Sequence, residues 1–172
     1  MNTNRHIVVA SMILMFLLGL VFIQESFAFP NEPTGYNGNK WGTSIGEINC
    51  ELKLVSSIDK IKFEIYEPGI KSEALDSSLM FLDGKLAGHS IRFKDPRIAN
   101  VVLMVYSKLY GKPASVSDEF VIWASKNTVI ELDLAYGIII IGSMSGIRSI
   151  EALLEWYESQ GGKIIPERKQ DI

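Results

Sequence analysis

Asp83-Gly84 constrains the fold of this chain more than any other feature of its sequence. A two-residue turn needs positive φ at both central positions, which Asp and Gly tolerate, so residues 74–82 and 85–93 must double back on each other as a hairpin. Ahead of it, residues 60–67 alternate Ile61, Phe63 and Ile65 with Lys60, Lys62 and Glu64. That is the period of a half-buried strand, and Pro68-Gly69 ends it. Earlier still, Ser44 and Glu47 stand in the S-x-x-E capping relation. Ile45, Ile48, Leu52 and Val55 follow at helical spacing, which predicts a first helix over 44–55.

The same order then recurs. Asp95-Pro96 supplies a helix start, Ile98, Val102, Val105 and Leu109 form an apolar stripe, and Gly111 with Pro113 closes a helix over 96–110. Strands are expected at 119–124, 128–135 and 138–141, the last a run of four isoleucines that must lie inside the sheet or under a helix to escape aggregation. Ile147, Ile150, Leu154 and Tyr157 mark a closing helix over 146–160. The expected fold class is therefore α+β: two tandem helix-plus-three-strand units, 44–93 and 95–143, forming an antiparallel sheet with helices on one face, plus a C-terminal helix. Residues 29–43, rich in Gly, Pro and Asn, read as an irregular segment leading into a single domain over 44–160. A charged tail, 161–172, follows it.

The first 28 residues have the order of a secretory signal: basic Arg5, a nearly unbroken apolar run over 7–23, then Gln24 and Glu25 before the small residues Ser26 and Ala28. Cleavage after Ala28 is expected, leaving a secreted or periplasmic chain with no stable membrane span. The alternative is retention as an anchor, for which the run is at the short limit of a hydrocarbon core about 30 Å thick. The segment carries one charge of each sign, Arg5 and Glu25, so its loss leaves the net charge at −3. The basic residues are scattered, which argues against nucleic acid as a partner. With 47% hydrophobic and 22% charged residues, the chain is neither disordered nor polytopic.

One His (His89) and the sole Cys (Cys50) follow the signal, too few for a zinc site built on His and Cys within one chain or for a disulfide framework. No cofactor is expected. Cys50 falls in the first expected helix, and burial as a small apolar residue is the simplest reading.

Glu32, Pro33, Gly35, Tyr36, Gly38, Trp41, Gly42 and Thr43 together resemble the opening of small secreted bacterial proteins of uncharacterised function. Leu109-Tyr110-Gly111-Lys112-Pro113, and Trp123 ahead of residues 128–134, resemble their later landmarks. The resemblance implies no catalytic residues. More distantly, the expected doubled order is similar to the modules of β-lactamase inhibitory proteins and of outer-membrane assembly lipoproteins of the SmpA/OmlA type. That likeness is one of architecture, and it implies binding more than chemistry.

Regular pairing through Asp83-Gly84 would set Ser78 opposite His89 and Asp76 opposite Ile91, so Asp76, Ser78 and His89 would share a face. They are the weak candidates for a small hydrolase, although the chain has no G-x-S-x-G and the plainer reading is a polar spot in an apolar sheet. Glu131 and Asp133, alternate residues about 7 Å apart along one strand, have acid–base spacing. They also read as a solvent-facing strand surface. Residues 142–146 could offer backbone N–H groups to an anion, or could be a loop with Ser145 as helix cap.

Among the aromatics, Trp123 alternates with apolar residues and belongs in the core. Tyr106, Tyr110 and Trp156 are candidates for an exposed partner-contact surface, and Trp41 with His89 for a ligand pocket. The expected function is a non-enzymatic binding or accessory protein contacting a protein or cell-envelope partner. A small-ligand-binding protein is the alternative, with the hydrolase third.

Overall fold

Asp83 and Gly84 adopt φ of 51° and 69° in the computed structural model, and the hairpin they close is the longest in the fold. The structure describes residues 28–69 and 72–161; the expected signal segment up to residue 27 and the tail from 162 lie outside them. A small hairpin of β1 (Gly35–Tyr36) and β2 (Asn39–Lys40) comes first, then a 3-10 turn at Ile45–Glu47. β3 (Leu52–Ile58), a second 3-10 turn at Asp59–Ile61, β4 (Phe63–Pro68), β5 (Leu75–Leu82) and β6 (Lys85–Phe93) follow as a meander. Helix α1 (Ile98–Tyr110) leads to a second meander of β7 (Ser115–Val116), β8 (Phe120–Ala124), β9 (Thr128–Asp133) and β10 (Ile138–Ser143). Helix α2 (Met144–Ser159) closes the fold.

The two meanders join through their last strands. β6 pairs antiparallel with β10, giving one eight-stranded sheet in the order β3-β4-β5-β6-β10-β9-β8-β7. Almost every residue of β8, β9 and β10 is buried, so both faces of this half need cover. On one face Met144, Ile147, Ile150 and Leu154 of α2 pack on Ile122, Val129, Ile138 and Ile140. On the other, Ala99, Val102, Leu103, Tyr106 and Tyr110 of α1 pack on Val121, Trp123, Ile130, Leu132, Ile139 and Ile141. The Trp123 indole, fully buried, donates its N–H to the Gly111 carbonyl at 2.9 Å, which satisfies the one polar atom of the largest core side chain.

The expected tandem arrangement fails on two counts. No helix forms over 44–55: the capping relation survives only as a 3-10 turn, in which the Glu47 carboxylate accepts from the Ser44 amide at 3.2 Å. The chain beyond it becomes β3, because Leu52 and Leu54 alternate with Lys53 at the sheet edge and Val55 to Ile58 is a β-branched and serine-rich stretch that favours extended backbone. Leu52 and Val55 had supplied the helical spacing, and two residues three apart also fit a bulged strand. The first half is thus four strands without an α-helix. Secondly, the helices lie on opposite faces, since one face cannot shelter strands that are apolar on both sides. Cys50 sits half-buried in the loop before β3, packed near Leu79 and Phe81, not in a helix.

Residues 28–48 lie along the α1 side of the sheet. Gly42 donates to the Leu86 carbonyl at 2.8 Å, Leu86 to Thr43 at 2.9 Å and Ile45 to Gly84 at 2.8 Å. Thr128 Oγ1 donates to the Pro33 carbonyl at 2.9 Å, the Ser125 hydroxyl bonds the Glu32 carboxylate, and Phe29 meets Tyr110 edge to face. At the other face, Gly142 lets α2 approach β6. A Cβ there would lie 2.7 Å from Ile147 Cγ1 and 2.8 Å from the Ala87 carbonyl oxygen. Gly142→Ala is expected to cost about 1–3 kcal/mol through this overpacking, read as a lower urea midpoint at unchanged slope; an unchanged midpoint would show that α2 does not seat there.

Candidate functional site

The β5–β6 pairing decides the fate of the Asp76, Ser78 and His89 constellation. Met80 pairs with Gly88 and Phe81 with Leu86, so Ala87 is an extra residue, a β-bulge that shifts the register. His89 consequently faces Leu79, Ser78 pairs with Ser90 and Asp76 with Arg92, not with Ile91. One inserted residue moves a side chain to the other face. Asp76 and Ser78 therefore lie on the α2 side of the sheet while His89 lies on the other, and no acid–imidazole–hydroxyl arrangement forms from them.

His89 instead joins Trp41 and Tyr36. Its ring centroid is 4.9 Å from that of Tyr36 and 6.1 Å from that of Trp41, the latter nearly parallel at 26°. The segment before β3 thus closes over the imidazole, which is 7% exposed and whose Nδ1 has no hydrogen-bond partner. Trp41 Nε1 donates to the Pro33 carbonyl at 3.3 Å, which fixes the indole over the histidine. Burial without a counter-charge holds the His89 pKa down to about 4, so the ring is neutral at neutral pH. Trp41 and His89 do come together, filling each other's space.

Glu131 and Asp133 were expected on a solvent-facing surface and are instead buried beneath α2. The Asp133 carboxylate accepts from the Ala135 and Tyr136 amides at 2.9 and 2.8 Å. Glu131 has no such donors: it is 4% exposed, and its Oε2 is unpartnered. Burial, with the nearby charges of Asp133 and Glu151, pushes its pKa up to about 8. A crevice lined by Glu131, Asp133, Ile138 and Ile140 is too narrow to hold a water molecule. Among the described residues, no three His, Cys, Asp or Glu side chains gather as a metal site would require.

The 142–146 loop is taken up by packing. Ser143, not Ser145, caps α2, its Oγ accepting from the Gly146 amide at 3.0 Å, and a Cβ on Gly146 would lie 2.9 Å from that of Ala87. This helix start is pressed on β6.

The three proposed contact aromatics divide. Tyr110 is buried between Phe29 and Trp123, and Tyr106 is half-buried against both Tyr110 and Trp123. Burial raises the Tyr106 phenol to about 12. Trp156 is exposed on α2, with the Lys60 ammonium 4.9 Å from its ring centroid.

The surface that sequence reasoning missed is the outward side of α1. Val101, Met104, Val105 and Leu109 are 55%, 56%, 52% and 41% exposed. Val101 is three residues from Met104 and four from Val105, and Leu109 is four beyond Val105, so they line one stripe. Val105 and Leu109 had been assigned inward, whereas Ala99, Val102, Leu103, Tyr106 and Tyr110 make the inward stripe. The signal was present in Val101 to Val105, an unbroken apolar run that gives a helix two apolar sides. Val116, also exposed, pairs with Val121 and so stands on this same side of the sheet. No helix among the described residues is long and apolar enough to cross a membrane.

Compared with known protein families, characterised proteins and solved structures, the chain matches none.

His89 generates a pH prediction. Its pKa falls from 6.5 in the unfolded chain to about 4 in the fold, so its contribution to stability is intact above 6.5 and is lost as the pH falls toward 4. His89→Phe should flatten the fall in thermal midpoint over that range relative to the parent protein. An identical acid profile in both would place the sensitivity elsewhere.

Proposed function

We propose that this protein is a non-enzymatic binding or accessory module of the secreted or periplasmic space, and that it holds a protein partner through the outward stripe of α1. The observation that carries the reading is the exposure of Val101, Met104, Val105 and Leu109 on a helix whose other side is already fully used. A helix that only covered a sheet would present polar residues outward. Apolar side chains aligned on an exposed helix face are the usual mark of a contact surface. The stripe is aliphatic with one methionine, and Lys108 is the only charged side chain within α1, so a partner with an apolar groove or helix face suits it.

The compartment belongs to the same proposal and is supported by the residue order of the first 28 positions and by the resemblance of the Glu32 to Thr43 opening to small secreted bacterial proteins. A small ligand is the weaker reading, since Trp41, Tyr36 and His89 pack on one another. Trp156 stays a second contact candidate on the opposite face.

Affinity capture from the native cell envelope, with the parent protein and Met104→Asp as paired baits, tests the proposal. Met104→Asp alters an exposed position and should change stability by less than about 0.5 kcal/mol, while removing at least about nine-tenths of a partner that the parent enriches, a loss of about 1.4 kcal/mol in binding. Equal enrichment by both baits, or enrichment by neither, would contradict the assignment to α1. The processed protein is expected to begin at Phe29 by intact mass, and a full-length mass in native envelopes would contradict the compartment.

A further inference from the structure

Glu131 is not the only buried carboxylate beneath α2 without a hydrogen bond. Glu151, on α2 itself, directs its Oε1 inward beside the stripe of Ile147, Ile150 and Leu154, and that atom too is buried and unpartnered. Glu131 stands on β9, one of the strands on which α2 packs, and the charge of Glu151 acts on it. We propose that protonation of Glu131 and Glu151 fastens α2 to the sheet, making α2 a latch that loosens as the pH rises.

Neither oxygen has a hydrogen-bond donor from the protein. The crevice beside Glu131, lined also by Asp133, Ile138 and Ile140, is too narrow to hold a water molecule. A protonated carboxyl is neutral and tolerates an apolar setting, whereas ionised carboxylates held where α2 meets the sheet are desolvated and repel each other. Among the described residues no basic group forms an ion pair with either carboxyl. Asp133 on β9 and Glu119 ahead of β8 are acidic, and Glu155 on α2 opposes ionisation of Glu151. Arg148 favours it and is outweighed, while Lys60 from the neighbouring 3-10 turn lies over the Trp156 and Tyr157 rings. β8 and β10 contribute no titratable side chain, while β6 sets the half-buried Arg92 beside Ile138 on this face, with Asp76 of β5 paired opposite it.

Both carboxyls are pushed up to about 8, against 4.5 when free. A raised acid binds more protons folded than unfolded, so its contribution is complete below 4.5 and is lost as the pH rises through 8. His89 is on the opposite face and stays neutral above 6.5, so it does not enter this window. Loosening α2 would uncover Ile122, Val129, Ile138 and Ile140, an apolar surface on the opposite side of the sheet from the α1 stripe.

Hydrogen exchange of the full chain, read by mass spectrometry over Met144–Ser159 and corrected for the intrinsic pH dependence of exchange, tests the latch. Between about pH 6.5 and pH 9, opening of α2 should increase by about tenfold or more, the equivalent of one unit of pKa. The β5–β6 hairpin should change little. Glu131→Gln and Glu151→Gln, each of which removes one ionising carboxyl, should each make the α2 increase at least about threefold smaller than in the parent protein. Glu151 is only half-buried, so its variant keeps the test open if Glu131→Gln folds poorly. The latch would be overturned by α2 protection that is flat across this range, by an increase in Glu151→Gln as large as the parent's, or by equal loss in α2 and the hairpin.

Discussion

The pairing of β6 with β10, from Ile138 opposite Arg92 to Gly142 opposite Gly88, turns two separate meanders into one sheet and so sets where every other element must go. It places β10, with four consecutive isoleucines, at the centre, where a strand apolar on both faces is stable only between two layers. α2 provides one layer by direct continuation of β10, and the glycine at 142 allows it to turn sharply back over Ala87. α1, bridging the inner strand β6 and the outer strand β7, provides the other, completed by the segment that precedes β3.

Much of this was legible locally. The hairpin at Asp83-Gly84, the helix after Asp95-Pro96 and the isoleucine strand each rest on chemistry confined to a few residues. What could not be read were consequences of contact between distant segments. Residues 44–55 carry a helical spacing and a strand alternation at once, and pairing with β4 decides for the strand. Ala87 forms a bulge at the point where the start of α2 lies against it, and a bulge leaves no mark in the local alternation from which the register of His89 was read. Glu131 and Asp133 alternate with Ile130 and Leu132 as an amphipathic strand should; only the docking of α2 reveals that the polar side is covered too.

The same layering separates the chemistry of the molecule. On the α1 side, a neutral histidine is enclosed by Tyr36 and Trp41, tying the beginning of the domain to the middle of the sheet. On the α2 side, carboxyls lie under a helix without basic partners in contact. These groups titrate with opposite effects on stability, the histidine's contribution being lost in acid and the carboxyls' in alkali. Neither arrangement brings a nucleophile to a base. The surplus apolar surface lies outside both layers, on α1, and the account of function rests there.

The most direct measurement of that account is the NMR spectrum of the protein with its methionine methyl groups labelled with carbon-13, recorded as fractionated envelope extract is added. Met104 is exposed on the α1 stripe, Met144 is buried at the start of α2, and Met80 packs on the α2 face. The account predicts that the Met104 signal shifts or broadens in a fraction that leaves Met80 and Met144 unmoved. Perturbation of Met80 and Met144 with Met104 unchanged would contradict it, placing the contact on the other side of the sheet.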